Sequence, residues 1–251
     1  MAKLSSEGKI PKEIGDYIVY QLGDETVMRR KSGFDSEKMQ DGANYQRSRD
    51  NATEFGKVSA LCKKMRLALK GVLPRQNNLD VCNALVKNMH RLLAFDTSSA
   101  RGSRNLGEAF AVKEARDLFE GYSFNPKGNL EEDFRKALVF DDSATLSFPA
   151  FEISAVFSFP EGADSLKMRL HHLEFDFKTG ESQLFSGQEI FFLEESAVAP
   201  FVLSCAFATT SGRTIFSILE IQFFVFQEGH FIPFYSDLNT IVTVLKVAKA
   251  D

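Results

Sequence analysis

The chain has 251 residues and a formal net charge of −4, with 44% hydrophobic and 25% charged residues, as in an ordinary soluble protein. No apolar run approaches the roughly 20 residues that a membrane-spanning helix needs, and the first residues lack the apolar core of a signal peptide. We therefore expect a cytoplasmic protein, or one released in an assembled particle, that makes no contact with a membrane.

The first predicted element is a β-hairpin in the sequence GDYIVYQLGDETVMRRK, residues 15–31. Both faces of its first strand are apolar near the middle, so a lone two-stranded hairpin of this kind must dock on another surface. We expect it to mediate assembly through the following side chains: Tyr17, Ile18, Val19, Tyr20, Leu22, Val27 and Met28. The polar stretch from Ser32 to Asp50 would act as a tether, allowing the hairpin to extend the sheet of a neighbouring copy.

A helical region is predicted to follow. Its first helix begins near Asn51, which can cap the exposed amides, while Glu54 can reach back as in a capping box. The apolar positions of this helix recur at three- and four-residue steps: Phe55, Val58, Cys62, Met65 and Leu69. A second helix is predicted from about Leu79 to Leu93, antiparallel to the first because the connection is short. Two shorter helices are predicted around residues 112–119 and 130–138.

The pattern changes to β-structure from about Thr145 onward. Eight or so short segments rich in Phe, Ile and Val, including FEISAVFSF at 151–159, alternate with turn sequences such as KTGE and EGH. This pattern predicts an antiparallel β-sandwich of the jelly-roll or Ig-like type. In LKMRLHHLEFDF the phase of the apolar positions slips by one residue at His171-His172, which predicts a β-bulge or corner.

Charge and aromatic content divide the chain into two unlike halves. Residues 1–135 hold 23 Lys and Arg against 19 Asp and Glu, whereas residues 136–251 hold 7 against 15. Of the 25 phenylalanines, 18 follow residue 135. The predicted class is therefore α+β, with a hairpin and extended arm over 1–50, a helical region over 51–140 and a β-sandwich domain over 141–251.

The cations of the first half offer a second interpretation, in which this half contacts phosphates or the acidic half of a neighbouring copy. The candidate contacts are Arg29, Arg30, Lys31, Lys63, Arg66 and Lys70. However, the first 75 residues hold fifteen cations against ten acids, which is less one-sided than a dedicated DNA-binding domain. A solvated charged surface is the alternative for these residues.

Patterns typical of catalysis are missing from the sequence, which has no GxxxxGK[ST] phosphate loop, GxGxxG fingerprint, HExxH or GxSxG. The best metal candidate is the trio His172, Glu174 and Asp176, because an imidazole and two carboxylates at two-residue spacing can bind zinc or manganese. The same residue types are expected on the solvated face of a strand, and we favour that interpretation. We predict no catalytic residue, no metal, no cofactor and no enzymatic activity.

The cysteines form no CxxC pair, and we expect three free, buried thiols.

Two stretches of the sequence together contain the positions of one family pattern. They are GKIPKEIGDYIVYQLGDETVMRRK at residues 8–31 and NATEFGKVSALCKKMRLAL at residues 51–69. The positions are Gly15, Asp16, Val19, Tyr20, Gly23, Val27 and Arg29 in the hairpin, and Phe55, Gly56, Ser59, Lys63, Arg66 and Leu69 in the helix. The pattern resembles the amino-terminal part of a broad, uncharacterised family encoded by Bacteroidota and their phages, over about 70 of the 251 residues. The resemblance implies a carboxy-terminal β-domain after this segment and brings no established activity. Trp, which is associated with that β-domain, is absent from this chain.

These features together predict a non-enzymatic structural subunit that self-assembles into a filament, a phage-like particle or another ordered array. Its predicted partners are further copies of the same chain. One alternative is a nucleic-acid-associated protein that uses the basic first half. A second alternative is a β-sandwich that binds a ligand or carbohydrate near Phe234 and Tyr235, although sugar sites commonly use Trp platforms.

Overall fold

The structure is a computed structural model, and it describes residues 2–4, 12–22, 24–31, 42–73, 79–125, 128, 130–140, 145–234 and 240–250. The chain forms two compact units, Met1–Asp50 and Asn51–Asp251. The first boundary coincides with the end of the predicted hairpin and arm. Residues 51–140 and 141–251, which differ in composition, lie together in the second unit.

The first unit contains a four-stranded antiparallel sheet. Its strands are β1 (Ala2–Leu4), β2 (Glu13–Ile14), β3 (Tyr17–Leu22) and β4 (Glu25–Arg30). The spatial order is β1-β4-β3-β2, so the predicted hairpin of β3 and β4 forms the centre of the sheet. Gly15 makes the tight turn from β2 into β3 with φ +55°, a conformation that glycine adopts without strain. The prediction of a lone two-stranded hairpin is therefore wrong, because a strand flanks it on each side.

The helices are α1 (Gln46–Ala68), α2 (Leu79–Leu92), α3 (Leu106–Ala109), α4 (Lys113–Phe119), α5 (Glu132–Ala137) and α6 (Ile153–Val156). The prediction for α2 is confirmed to within one residue, and α4 and α5 lie inside their predicted ranges. Across the described ranges, no helix combines the length and apolar character that crossing a bilayer requires.

Helix α1 begins five residues before its predicted start, after a 3-10 turn at Ala43–Tyr45. The side-chain amide of Gln46 donates to Asp50 Oδ1 at 2.8 Å, and Arg49 donates to Gln46 Oε1 at 2.6 Å, so polar side chains support this first turn. The capping box at Asn51 and the tether as far as Asp50 are consequently wrong. Residues 32–41 of the predicted tether lie outside the described residues.

The second unit contains eleven strands among its described residues: β5 (Val139–Phe140), β6 (Thr145–Phe148), β7 (Phe151–Glu152), β8 (Ser165–Phe175), β9 (Ser182–Ser186), β10 (Ile190–Leu193), β11 (Ala197–Val198), β12 (Phe201–Ser204), β13 (Thr214–Gln227), β14 (His230–Pro233) and β15 (Ile241–Lys249). Strands β8 and β13 form the centre of a six-stranded antiparallel sheet, with β9 and β10 along β8 and with β14 and β15 along β13. Smaller sheets join β12-β6-β5 and β11-β7.

The α+β class is confirmed, and the finer prediction of a jelly-roll or Ig-like sandwich stays a prediction. The segment FEISAVFSF is strand only at Phe151–Glu152, and α6 occupies its centre, so the prediction of one continuous strand there is wrong. All three cysteines are free thiols, as predicted. Cys62 and Cys205 are buried, but the prediction of burial is wrong for Cys82, which is half-buried.

The core of the second unit forms two hydrophobic clusters, one on each face of the central sheet. The helical core contains the inner faces of α1 and α2 together with Phe110, Phe119 and Phe216. The β core contains α5, β6 and β12 side chains. Leu166, Met168 and Leu170 of β8 belong to the β core, whereas Leu173 and Phe175 of the same strand belong to the helical core.

The pairing of β8 with β13 is uninterrupted along its whole length, from Ser165 opposite Phe224 to Phe175 opposite Thr214. The predicted bulge at His171-His172 is therefore wrong. The apolar residues of β8 change face here because those before His171 pack in the β core and those after His172 pack in the helical core, on the other side of a regular strand. The register shift lies instead between β13 and β15, at Ser217/Ile218.

Candidate functional site

The residues predicted to mediate assembly divide into a buried and an exposed group. Val19 and Val27 are buried, and Ile18 and Met28 are half-buried. The exposed group consists of Tyr17, Tyr20 and Leu22, with exposed fractions of 42%, 38% and 64%. Ile14 of the adjacent strand β2 is also exposed. The register of β3 with β2 and β4 places Tyr20 and Leu22 on one face of the sheet and Tyr17, with Ile14 opposite it, on the other face. Apolar and aromatic side chains are therefore exposed on both faces, and we call the face of Tyr20 and Leu22 the sheet surface.

The same strand offers an unpaired backbone edge. Strand β2 pairs only with Tyr17 and Ile18 of β3, and Val19 N–H donates to Lys12 O at 2.9 Å. Backbone groups alternate in direction along an antiparallel strand, so the amide and carbonyl of Gln21 point to the same side as those of Val19. Within the described ranges, no strand pairs with β3 on that side at Tyr20–Leu22. Such an edge accepts another strand.

The candidate cations fall into two groups that belong to different compact units. Arg29 and Arg30 are exposed on β4, with the Arg29 guanidinium 5.9 Å from the centre of the Tyr20 ring. Lys31 forms an ion pair with Glu13, Nζ to Oε2 at 2.7 Å.

The second group lies on and after α1. Lys63 and Lys70 are exposed, whereas Arg66 is half-buried. Within the described part of the chain, neither lysine forms an ion pair or a side-chain hydrogen bond.

The trio proposed as a metal site is not a solvated face. His172 and Glu174 are buried, and each has a defined partner. His172 Nδ1 lies 3.0 Å from Ser217 Oγ, and Glu174 accepts a hydrogen bond from Thr210 N–H at 2.5 Å. Searching the described residues finds no group of three or more His, Cys, Asp and Glu side chains arranged to hold a metal ion. The expectation of a wet face is wrong because both faces of β8 are covered here.

Asp176, the third member of the trio, terminates β8 in a local turn. Its carboxylate accepts hydrogen bonds from Lys178 N–H at 2.7 Å and Thr179 Oγ1 at 3.0 Å. Burial would raise the pKa of Asp176, but the hydrogen bonds from Lys178 and Thr179 outweigh burial and lower this pKa. The carboxylate is therefore used in fixing the turn that follows β8.

A partly buried polar network on the central sheet was not predicted from the sequence; His171, Lys167 and Glu220 are buried, whereas Ser186 and Glu189 are exposed. His171 bridges two strands, with Nδ1 2.8 Å from Ser186 Oγ and Nε2 3.0 Å from Glu220 Oε2. Lys167 Nζ lies 3.7 Å from the same Glu220 oxygen and 3.2 Å from Glu189 Oε1. The signal in the sequence was a single acid inside the apolar run TIFSILEIQFFVF. The register pairs His171 with Ile218 of the helical core and Arg169 with Glu220, so the network lies on the same face of the sheet as the helical core, beyond its apolar residues.

The ligand-binding alternative named Phe234 and Tyr235. Phe234 is half-buried and packs against the β core, so it is no open platform. Tyr235 lies outside the described residues.

Comparison of the chain with protein-family models, with curated proteins and with solved structures finds no match in any of the three. Inference about function therefore begins from the exposed surfaces, the charges and the cavities of the molecule. Among the described residues, the edge of β3 at Tyr20–Leu22 combines unpaired backbone groups with exposed Tyr20 and Leu22.

Proposed function

We propose that this protein is a non-enzymatic structural subunit that self-assembles through its N-terminal sheet. The observation that carries this proposal is the edge of β3 at Tyr20–Leu22, which has no strand partner within the described residues and displays exposed Tyr20 and Leu22. A strand from a second copy would pair with the amide and carbonyl of Gln21. The apolar side chains beside this edge would then be removed from water.

The charge distribution supports a repeating arrangement. The first 135 residues are basic in balance and the remainder acidic, so unlike halves of neighbouring copies attract each other. Contacts between unlike surfaces generate rings or filaments. We propose a filament, a phage-like particle or another ordered array, with the C-terminal β-domain, of jelly-roll or Ig-like type, as the second contact. We propose the cytoplasm or a released particle as its location.

Replacing Leu22 with lysine tests this proposal. Wild-type protein is expected to sediment as species much larger than the 28.1 kDa monomer, and Leu22→Lys is expected to shift the population toward the monomer. Losing the burial of one leucine costs about 2 kcal/mol per interface, which is roughly a thirtyfold weaker association. Analytical ultracentrifugation over a concentration series measures the shift, and electron microscopy shows whether the large species have repeating symmetry.

Leu118→Lys is the matched control, because Leu118 of α4 is 65% exposed and Leu22 is 64% exposed. This variant is expected to assemble as the wild type does. A wild-type protein that stays a monodisperse monomer at high concentration contradicts the proposal. So does a Leu22→Lys variant that assembles normally.

A second candidate function is nucleic-acid binding, which is favoured by the exposure of Arg29, Arg30, Lys63 and Lys70. Under this proposal the wild type retards DNA or RNA in an electrophoretic gel, and added salt abolishes the shift. Arg29→Glu combined with Arg30→Glu is expected to weaken binding and to lower the salt slope by about one for each phosphate that the protein no longer neutralises. Lys113→Glu, another exposed cation, is the control. If the wild type produces no shift at low salt, this function is excluded.

A further inference from the structure

A cavity of about 550 Å³ lies in the second unit, between α1, the segment before α3 and the turn after β8. Helix α1 contributes Lys57, Leu61 and Lys64, which share one side of the helix because they are spaced by four and three residues. Phe177 and Lys178 form the opposite wall. The volume is within the range of about 300–1,000 Å³ that small-molecule sites in proteins occupy.

The floor of the cavity is apolar and firmly packed. Val58, Leu93 and Leu106 line it, and each of these side chains is buried in the helical core. The Phe177 ring stacks on the Phe110 ring, with centroids 5.1 Å apart and planes inclined by 12°. The floor therefore offers an apolar surface whose side chains are held in place by the core beneath it.

The rim of the cavity is positively charged. Lys57, Lys64, Lys178 and Arg104 line it, and no acidic residue is among the described residues that line it. The nearby carboxylates of Glu54, Asp96 and Asp176 accept hydrogen bonds from Arg104, from the Asn105 backbone, and from the Lys178 backbone and the Thr179 hydroxyl, respectively. Arg104 is neutralised by Glu54, to which it donates hydrogen bonds of 2.8 and 2.6 Å, so its charge is already balanced and we assign the ligand site to the lysines. The three lysines remain as an uncompensated positive group on a protein whose net charge is −4.

Two of these lysines are positioned by backbone carbonyls. Lys64 Nζ donates to Thr179 O at 2.7 Å across the cavity mouth, and Lys57 Nζ lies 3.5 Å from Gly102 O. An ammonium group has three donors, so each of these lysines retains two for a ligand. Gly180 allows the arrangement, because its φ is +71° and a β-carbon there would overlap the Lys64 side chain.

We propose that this cavity binds a small amphipathic anion, with the apolar part of the ligand on the Val58–Phe177 floor and a single carboxylate or phosphate group at Lys57, Lys64 and Lys178. Charge complementarity argues for an anion, since the rim is cationic and contains no acid among its described residues. The apolar floor argues against a fully hydrated inorganic ion, which would leave that surface unused. The site lies wholly within residues 57–179, so it is independent of the sheet surface and of assembly.

Binding is tested by isothermal titration calorimetry of the full chain with decanoate, decyl phosphate and the neutral analogue decanol. Decanoate or decyl phosphate is expected to bind saturably in the micromolar to low millimolar range, and decanol about tenfold more weakly or not at all. The preferred head group distinguishes a carboxylate ligand from a phosphate ligand. Equal binding of decanol and the two anions would overturn the proposal, as would no saturable binding of any probe.

Lys64→Met is expected to weaken decanoate binding about tenfold, because a charged hydrogen bond is lost while the aliphatic stem stays. Lys63→Met is the matched control, since Lys63 is the next residue of α1, is exposed and does not line the cavity. Equal losses in the two variants would contradict the assigned site. Repeating the titration with Leu22→Lys separates this proposal from the assembly proposal, because binding is expected to persist in a variant that does not assemble.

Discussion

Replacing Phe110 with alanine is expected to lower the free energy of unfolding by about 4 kcal/mol. Phe110 is fully buried, and its ring contacts three others: Phe119 at 5.7 Å, Phe177 at 5.1 Å and Phe216 at 5.4 Å between centroids. Phe216 belongs to the central strand β13, so this cluster joins the helical layer to the sheet. The substitution removes apolar burial and leaves a cavity that rigid neighbours cannot fill. Urea unfolding followed by circular dichroism measures the loss.

Phe55→Ala is the control for this prediction, because Phe55 is 54% exposed on α1. It is expected to cost less than about 1 kcal/mol, since little surface is returned to water. A cost for Phe110→Ala no larger than that for Phe55→Ala would show that the aromatic cluster does not hold the layers together. Phe110→Ala is also expected to weaken decanoate binding, because Phe177 would lose the ring on which it stacks.

Replacing Glu54 with glutamine is expected to lower the free energy of unfolding by about 3 kcal/mol. The Glu54 side chain has no exposed surface and accepts two hydrogen bonds from Arg104 and one from Gly102 N–H at 2.7 Å. Glutamine removes the negative charge and leaves the Arg104 guanidinium, whose side chain is 24% exposed, without its ionic partner. Thermal or urea unfolding at pH 7 measures the effect.

The same ion pair predicts how stability depends on pH. The hydrogen bonds from Arg104 lower the pKa of Glu54 from its ordinary value of 4.5 to about 2, against the burial that would raise it. A carboxyl whose pKa is lowered by folding stabilises the folded state above its unfolded pKa, and this stabilisation is lost as the pH falls through the folded value. Wild-type stability is therefore expected to fall between pH 4.5 and 2, and Glu54→Gln is expected to show a shallower fall.

Two comparisons make this prediction specific. Burial would raise the pKa of Asp96, but hydrogen bonds from Asn105 N–H, Ser99 and Ser98 lower it to about 2, so part of the pH dependence persists in Glu54→Gln. Glu132→Gln removes an exposed pair with Lys136 on α5 and is expected to leave stability unchanged. If Glu54→Gln matches Glu132→Gln in stability and in pH profile, the Glu54–Arg104 pair contributes nothing.

The sequence predicts an element well where its apolar residues repeat regularly and pack against one hydrophobic cluster. Helix α2 is an example, because its apolar residues repeat without interruption and its limits come out within one residue. Helix α1 starts earlier than predicted because its first turn, QRSRD, is polar and is supported by side-chain hydrogen bonds that hydrophobic periodicity does not detect. At His171 the spacing of apolar residues in β8 does change. The cause is that one hydrophobic cluster covers one face of the strand before this point and the second cluster covers the other face after it. A β-bulge would produce the same spacing, so the sequence alone does not distinguish the two.

The candidate sites were harder to predict, because their parts come from distant segments. Glu54 stands three residues after Asn51, which is the spacing of a capping box, yet its partner Arg104 is fifty residues away. Lys64 and Thr179 meet across 115 residues. Such pairs depend on how the layers pack, and spacing along the chain contains no information about that. The exposed residues of β3 do not follow simple alternation either, because Tyr20, Gln21 and Leu22 are all exposed, whereas Val19 and Val27 of the predicted assembly residues are buried.

Strand β15 (Ile241–Lys249) contributes to both clusters of the core. Val242, Val244 and Val247 pack in the helical core, whereas Ile241 and Leu245 pack in the β core. During synthesis the helices and the earlier strands therefore leave the ribosome well before either layer can close. We therefore expect the phenylalanine-rich strands to stay partly uncovered until β15 has emerged and paired with β13.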